Sequence, residues 1–167
     1  MTCFKLKLIL LVGFLLAAIA PAALQAGEIY SATVVKVSDG DTIHVMKKDG
    51  HKVKIRLYGI DAPEKQQAFG RVSRDHLQKL LRSRAVSVEP LYQDKYRRTV
   101  ALVWLGTSRL VNEIMVDNGL AWHYPQYCKK QPLCKNIKRK EQIARREKRG
   151  LWKDKKKPVP PWAWRKR

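Results

Sequence analysis

Acidic residues are scarce in this 167-residue chain: 14 Asp and Glu stand against 35 Lys and Arg, for a formal charge of +21 and a sequence pI of about 10.2. That deficit excludes cationic macromolecules as natural partners and points to polyanions, although solubility or a basic tail would account for the charge equally well. Cysteine is also scarce. Of three, Cys3 lies in the N-terminal apolar segment, leaving Cys128 and Cys134 with five residues between them. The four histidines, His44, His51, His76 and His123, are scattered, so no second pair at suitable spacing completes a zinc site. Neither a His-x-Lys followed by four residues and Asp nor a His-Asn-His constellation is present, and Ser38 and Ser73 have no His/Asp partnership visible in the sequence. Covalent routes find little support.

Long apolar runs are limited to one, Leu8 to Ala20, preceded by Lys5 and Lys7 and followed by Pro21 and small residues ending at Ala26. This pattern reads as a secretory signal peptide over residues 1–26. It is too short to favour a stable membrane span, so no membrane insertion is expected after cleavage. Removing it deletes two Lys and no acid, and 21 − 2 leaves +19 on the mature chain. A secreted or periplasmic location makes a Cys128–Cys134 disulfide the expectation. With 45% apolar residues, residues 27–152 suit one domain with its own core, read here as a monomer, followed by a basic tail over 153–167.

Within that domain, β-branched residues dominate Ile29–Val37 and Thr42–Met46, separated by the turn Ser38-Asp39-Gly40-Asp41. Lys52–Tyr58 alternates Val53, Ile55 and Leu57 with Lys54 and Arg56 after Asp49-Gly50, completing a three-stranded meander. Phe69, Val72, Leu77, Leu80 and Leu81 recur at helical spacing and predict a helix over residues 68–82. Ala85–Leu91 and Thr99–Leu105 have strand composition; helices follow near Leu110–Asn118 and Lys135–Arg149, each ending at a glycine. Five strands with a helix inserted after the third predict an α+β fold, a small five-stranded OB-type β-barrel with about three α-helices. The tail, rich in Lys and Pro, reads as extended or mobile, with recruitment of polyanions as its role; packing of Trp162 and Trp164 onto the domain is the alternative.

Four acids in so basic a chain, Asp39, Asp41, Asp61 and Glu64, fall in two turns at the ends of adjacent strands. Converging carboxylates without His or Cys suit a hard cation such as Ca²⁺; the plainer reading is that Asp39 and Asp41 shape a turn and Glu64 caps a loop. Arg56 and Arg98 would add the guanidinium forks that phosphodiester cleavage requires, while an ordinary solvated position is the plainer reading of Arg56.

Val37-Ser38-Asp39-Gly40-Asp41-Thr42, followed by Arg56-Leu57-Tyr58-Gly59-Ile60-Asp61-Ala62-Pro63-Glu64, resembles the paired signature of the thermonuclease, or staphylococcal nuclease-like, family. Asp94-Lys95-Tyr96-Arg97-Arg98, Val111-Asn112-Glu113, Gly119-Leu120-Ala121 and Gly150-Leu151-Trp152 resemble its later landmarks in order, so the likeness covers roughly residues 28–153. The resemblance implies a secreted Ca²⁺-dependent nuclease acting on DNA and RNA with 3′-phosphorylated products. It implies Asp41, Asp61 and the Ala62 carbonyl as Ca²⁺ ligands, Asp39 close behind them, and Glu64 holding or activating water. Arg56 and Arg98 become the catalytic arginines, and Lys95 and Tyr96 contacts to a terminal phosphate. Tyr124, in a region that departs from the family pattern, is a base-stacking candidate. Arg97 stands where the best-known member has glycine, and Lys65 to Phe69 is far shorter than that member's loop. The competing reading is a non-catalytic polyanion-binding module of the same fold, which would be expected to have lost one of these positions.

Overall fold

The computed structural model describes residues 27–153 and 158–167; the signal-peptide expectation, Cys3 and Lys155–Lys157 lie outside the described residues. The chain runs β1 (Tyr30–Val37), β2 (Thr42–Lys47), β3 (Lys52–Leu57), β4 (Ile60–Asp61), α1 (Gly70–Leu81), β5 (Ala85–Gln93), β6 (Thr99–Leu105), β7 (Arg109–Leu110), α2 (Val111–Asp117), β8 (Trp122–His123), α3 (Leu133–Arg146), a 3₁₀ turn (Gly150–Trp152) and α4 (Pro161–Trp164). Period-two alternation explains the strands. In β1, Ala32 and Val34 point inward while Ser31, Thr33 and Val35 face water.

The sheet order is β3-β2-β1-β5-β6-β7, and β3 also pairs with β6. That last pairing is parallel, with Ile55 opposite Thr99 and Leu57 opposite Ala101, and it closes the five long strands into a mixed barrel. Ile43, Val45, Ile55, Leu57, Val86, Val88 and Val103 fill the interior. The fold is therefore the expected α+β barrel of OB type. Helices α1, α2 and α3 match the three expected, with α3 starting two residues before the predicted Lys135 and ending at Arg146.

Asn112 is the polar tie between helices and barrel. Fully buried on α2, it accepts a hydrogen bond from the Val103 amide through Oδ1. Its Nδ2 donates to the carbonyls of Tyr58 at 2.9 Å and Ala101 at 3.2 Å. Those groups sit where β3 turns away from β6, so the side chain seals the barrel seam. Cys128 and Cys134 are joined in a disulfide that closes the loop before α3. The Tyr58 hydroxyl accepts hydrogen bonds from the amides of Lys129 and Lys130 inside that loop. Gly59, with φ +76°, is required between them, because a Cβ there would collide with the Cys128 sulfur.

The extended tail predicted from composition is corrected for residues 158–167. Pro161 is buried at the start of α4, and Trp162 packs against the cluster of Trp122, Ala144, Leu151 and Trp152. Burial of these rings outweighs the local preference of a Pro-rich segment for open conformations.

Asn112→Ala would take the side-chain partner from the Val103 amide and the Tyr58 carbonyl, while the Ala101 carbonyl keeps the Tyr58 amide at 2.9 Å. We expect a loss of about 2–4 kcal/mol in urea unfolding; a variant within about 0.5 kcal/mol of the parent would show that the seam needs no polar tie. Reduction of Cys128–Cys134 is expected to cost roughly 2–3 kcal/mol, read as a lower melting temperature in dithiothreitol.

Candidate functional site

The residues singled out by the sequence converge on one open cleft of about 830 Å³ at the end of the barrel. Three turns build it. The β1–β2 turn supplies Asp39 and Asp41; the segment after β3 supplies Asp61, Ala62 and Glu64; the β5–β6 turn supplies Asp94 to Arg98.

In the first turn, Asp39 Oδ1 accepts from the Asp41 amide at 3.0 Å, which turns the Asp41 side chain inward. Gly40 has no room for a Cβ, which would strike Ser73 of α1 and Ala62. This close approach packs the two acidic turns together. Asp41 Oδ2 accepts from the Ala62 amide at 2.6 Å, and Oδ1 accepts from the Thr42 hydroxyl. Asp61 is held by the short antiparallel pairing of β4 with β8, where it stands opposite Trp122.

Arg56, at the end of β3, joins these turns. Its Nη2 lies 3.1 Å from Asp41 Oδ2 and 2.9 Å from Asp61 Oδ1, with side-chain exposures of 11%, 8% and 2% for the three residues. Its Nη1 donates to the Leu57 carbonyl at 2.8 Å, fixing the plane of the fork. Burial pushes the Asp41 carboxyl well above the ordinary range; Arg56 opposes the shift and Asp39 adds to it. Burial likewise raises Asp61 to about 6, with Asp41 adding to the rise and Arg165, from the C-terminal segment, and Arg56 opposing. The shifts mean that the guanidinium groups present do not fully compensate this group of carboxylates.

Arg98 is built differently. Asp94 Oδ1 accepts from the amides of Tyr96 and Arg98, and Oδ2 binds the Arg98 guanidinium at 2.6–2.7 Å. Burial works against the Asp94 charge, but these bonds outweigh it and hold its carboxyl below the usual range. Arg97 takes φ +58°, a left-handed backbone that favours glycine, to complete the turn. Tyr96 is 65% exposed, with Lys95 and Arg98 stacked near its ring at 5.1 and 5.2 Å. Lys95, Tyr96 and Tyr124 all line the cleft.

Glu64 enters the same cleft from a tight loop. Its amide donates to Gln67 Oε1 at 3.1 Å, and the Gln67 amide returns a bond to the Glu64 carbonyl at 2.9 Å. The residue the sequence reading missed is Arg165. It reaches back 104 positions to Asp61, with Nη2 2.8 Å from Oδ2, and to Glu64, with Nη1 2.6 Å from Oε1. Burial disfavours its charge, yet the bonds to these two carboxylates outweigh that and hold the guanidinium more firmly protonated. Nothing in the local pattern of the basic tail signals this long-range contact. Tyr127 and Tyr92, also unpredicted, complete the aromatic lining.

Among the described residues, no three His, Cys, Asp or Glu side chains form a ready-made metal cage; the arginines hold the carboxylates instead. The donor set nevertheless fits a hard divalent cation. Asp41, Asp61 and Glu64 offer only oxygen, and the raised carboxyls report unfilled demand for positive charge.

Comparison with known proteins gives the family. The model of the staphylococcal nuclease homologue family matches residues 54–154. An uncharacterized endonuclease from Escherichia coli O157:H7 is 45% identical over 135 residues, covering 80% of this chain and 84% of that protein. An uncharacterized endonuclease from Haemophilus influenzae is 38% identical over 133 residues, covering 80% and 71%. A micrococcal nuclease from Shigella flexneri is 37% identical over 145 residues, covering 82% and 81%. Matched by its family model over most of the domain and by full-domain relatives at these identities, the chain belongs to the staphylococcal nuclease homologue family and is a hydrolase of the nuclease class.

Proposed function

We propose that this nuclease is an exported, Ca²⁺-dependent endonuclease that hydrolyses DNA and RNA and leaves 3′-phosphorylated ends. The observation that carries the reading is the mixed-sign cleft, in which the incompletely compensated Asp41 and Asp61 stand beside Arg56, with Glu64 and Arg98 lining the same space. Export is supported by the N-terminal pattern of residues 1–26 and by the disulfide, which persists in oxidising compartments.

Asp41, Asp61 and the Ala62 carbonyl are the residues that would hold Ca²⁺, with Asp39 orienting Asp41 from behind. When bound, the cation supplies positive charge to a phosphate oxygen and to the attacking water. The remaining work belongs to side chains. Arg56, its fork fixed by the Leu57 carbonyl, grips a non-bridging oxygen of the scissile phosphate. Glu64 holds the water in line with phosphorus. As the water oxygen bonds to phosphorus, the bond to the 5′ oxygen breaks, the phosphate stays on the 3′ side, and Arg98 stabilises charge at the departing oxygen. Lys95 and Tyr96 receive a terminal phosphate, and Tyr124 offers a ring to a base. The groups engaged in this reading, phosphate and base, are common to DNA and RNA, and the reading takes both as substrates.

The reading is tested by end analysis of single-stranded DNA and RNA after digestion: 3′-phosphates should appear with Ca²⁺ and vanish with a chelator. Undiminished cleavage in chelator, or 5′-phosphate ends, would overturn it. Asp41→Asn and Asp61→Asn should remain folded and bind Ca²⁺ more weakly in calorimetry, because each loses a charged oxygen. Unchanged affinity in both would remove these residues from the site. Arg56→Lys and Arg98→Lys should each lose about 100-fold or more in turnover with a smaller effect on substrate binding, since lysine keeps the charge without the fork. Parental turnover in either variant would reassign that arginine.

A further inference from the structure

The last ten residues lie across the cleft at three separate points. Arg165 binds Asp61 and Glu64. Trp162 stacks on Tyr124, with planes 4° apart and centroids 5.2 Å apart. The Val159 carbonyl accepts a hydrogen bond from Gln67 Nε2, on the loop that carries Glu64. Pro161 is buried beneath the same segment, so the arrangement is a packed one.

Two of these contacts cover groups that the proposed reaction needs free, and the third ties the tail to the loop that carries Glu64. The Arg165 guanidinium occupies both oxygens of Asp61 and one of Glu64, which a divalent cation and the attacking water would otherwise engage. Trp162 covers a face of Tyr124, where a nucleobase would stack. We propose that residues 159–165 are an intrachain plug: a surrogate cation and a surrogate base that occupy the cation and base positions of the cleft in the free protein and are displaced by Ca²⁺ and a polynucleotide. This inference rests on the calcium reading of the same carboxylates.

The chemistry suits a reversible plug. Arg165 brings one positive charge to the carboxylates of Asp61 and Glu64, and 42% of its side chain still faces water. A divalent ion brings twice the charge to the same oxygens. Because tail and cation compete, each lowers the apparent affinity of the other by the same factor. If the docked tail holds about 90% of molecules, it weakens cation binding about tenfold.

The test uses the full chain with Arg165→Gln, and Trp162→Ala as a second variant that leaves every charge in place. Calorimetry with Ca²⁺ alone should show tighter binding in both variants, by about tenfold where the docked state dominates. Hydrogen exchange over residues 158–167 of the parent should be slow without Ca²⁺ and accelerate on adding it, because the amides of Ala163 and Arg165 are bonded within the docked α4. Equal Ca²⁺ affinity in all three proteins with unchanged tail exchange would overturn the plug and leave the calcium reading intact. Weaker Ca²⁺ binding in Arg165→Gln would overturn it too, making Arg165 a support of the site. No Ca²⁺ binding by any of the three would overturn both the plug and the calcium reading.

Discussion

One ion bridge organises the cleft end of this protein: Arg56 between Asp41 and Asp61. Two carboxylates so thoroughly removed from water cannot both stay charged without a counter-charge between them. Arg56 provides it from β3, while the acids come from two different turns, so the bridge joins three pieces of chain. Its geometry is inherited from the barrel. The parallel pairing of β3 with β6 sets the height of Arg56, and the pairing of β4 with β8 sets that of Asp61. Removing the barrel seam would therefore disturb charge separation as well as packing.

Two of the arginines that line the cleft, Arg56 and Arg98, are restrained in contrasting ways. Arg56 is tied to the acids of the site itself, whereas Arg98 is tied to Asp94, an acid of its own turn. On the proposed reading, the first arrangement would let the guanidinium exchange carboxylate partners for a phosphate. The second keeps the side chain aimed across the cleft before any ligand arrives, lowering the ordering cost at the moment of binding. The left-handed backbone at Arg97 is the local cost of that preorganised turn.

Much of this was legible in the sequence because alternation and spacing carry it. Val53, Ile55 and Leu57 identify β3 by period two, and this alternation places Arg56 on the opposite face. Asp39-Gly40-Asp41 and Asp61-Ala62-Pro63-Glu64 mark the acidic turns by residue type alone. What was not legible depends on partners distant in sequence. Strands β4 and β8 are two residues each, too short for any periodic signal, yet they position Asp61. Asp94 is plain in the motif, but its grip on Arg98 is a property of the folded turn. Helix α3 begins at Leu133 because that side chain packs onto the core, a preference outweighed in the sequence by the run of charges that follows. The tail is a similar case: composition registers Lys and Pro and favours an extended segment, whereas Pro161, Trp162 and Arg165 are fixed by surfaces contributed elsewhere in the chain, so that the packed alternative holds for Trp162.

The Tyr58 hydroxyl, seated between the Lys129 and Lys130 amides, has a consequence for how this protein can diverge. Surface loops ordinarily absorb insertions and deletions with little penalty. The segment between β8 and α3 is exposed over much of its length, yet it is anchored at Tyr58 and at the bridged cysteines, and Tyr58 lies three residues before Asp61. A change of length inside the bridged ring would pull on the strand that delivers the acid. Length variation among descendants of this sequence should therefore collect before Cys128, around Pro125 and Gln126, leaving the ring itself at constant size.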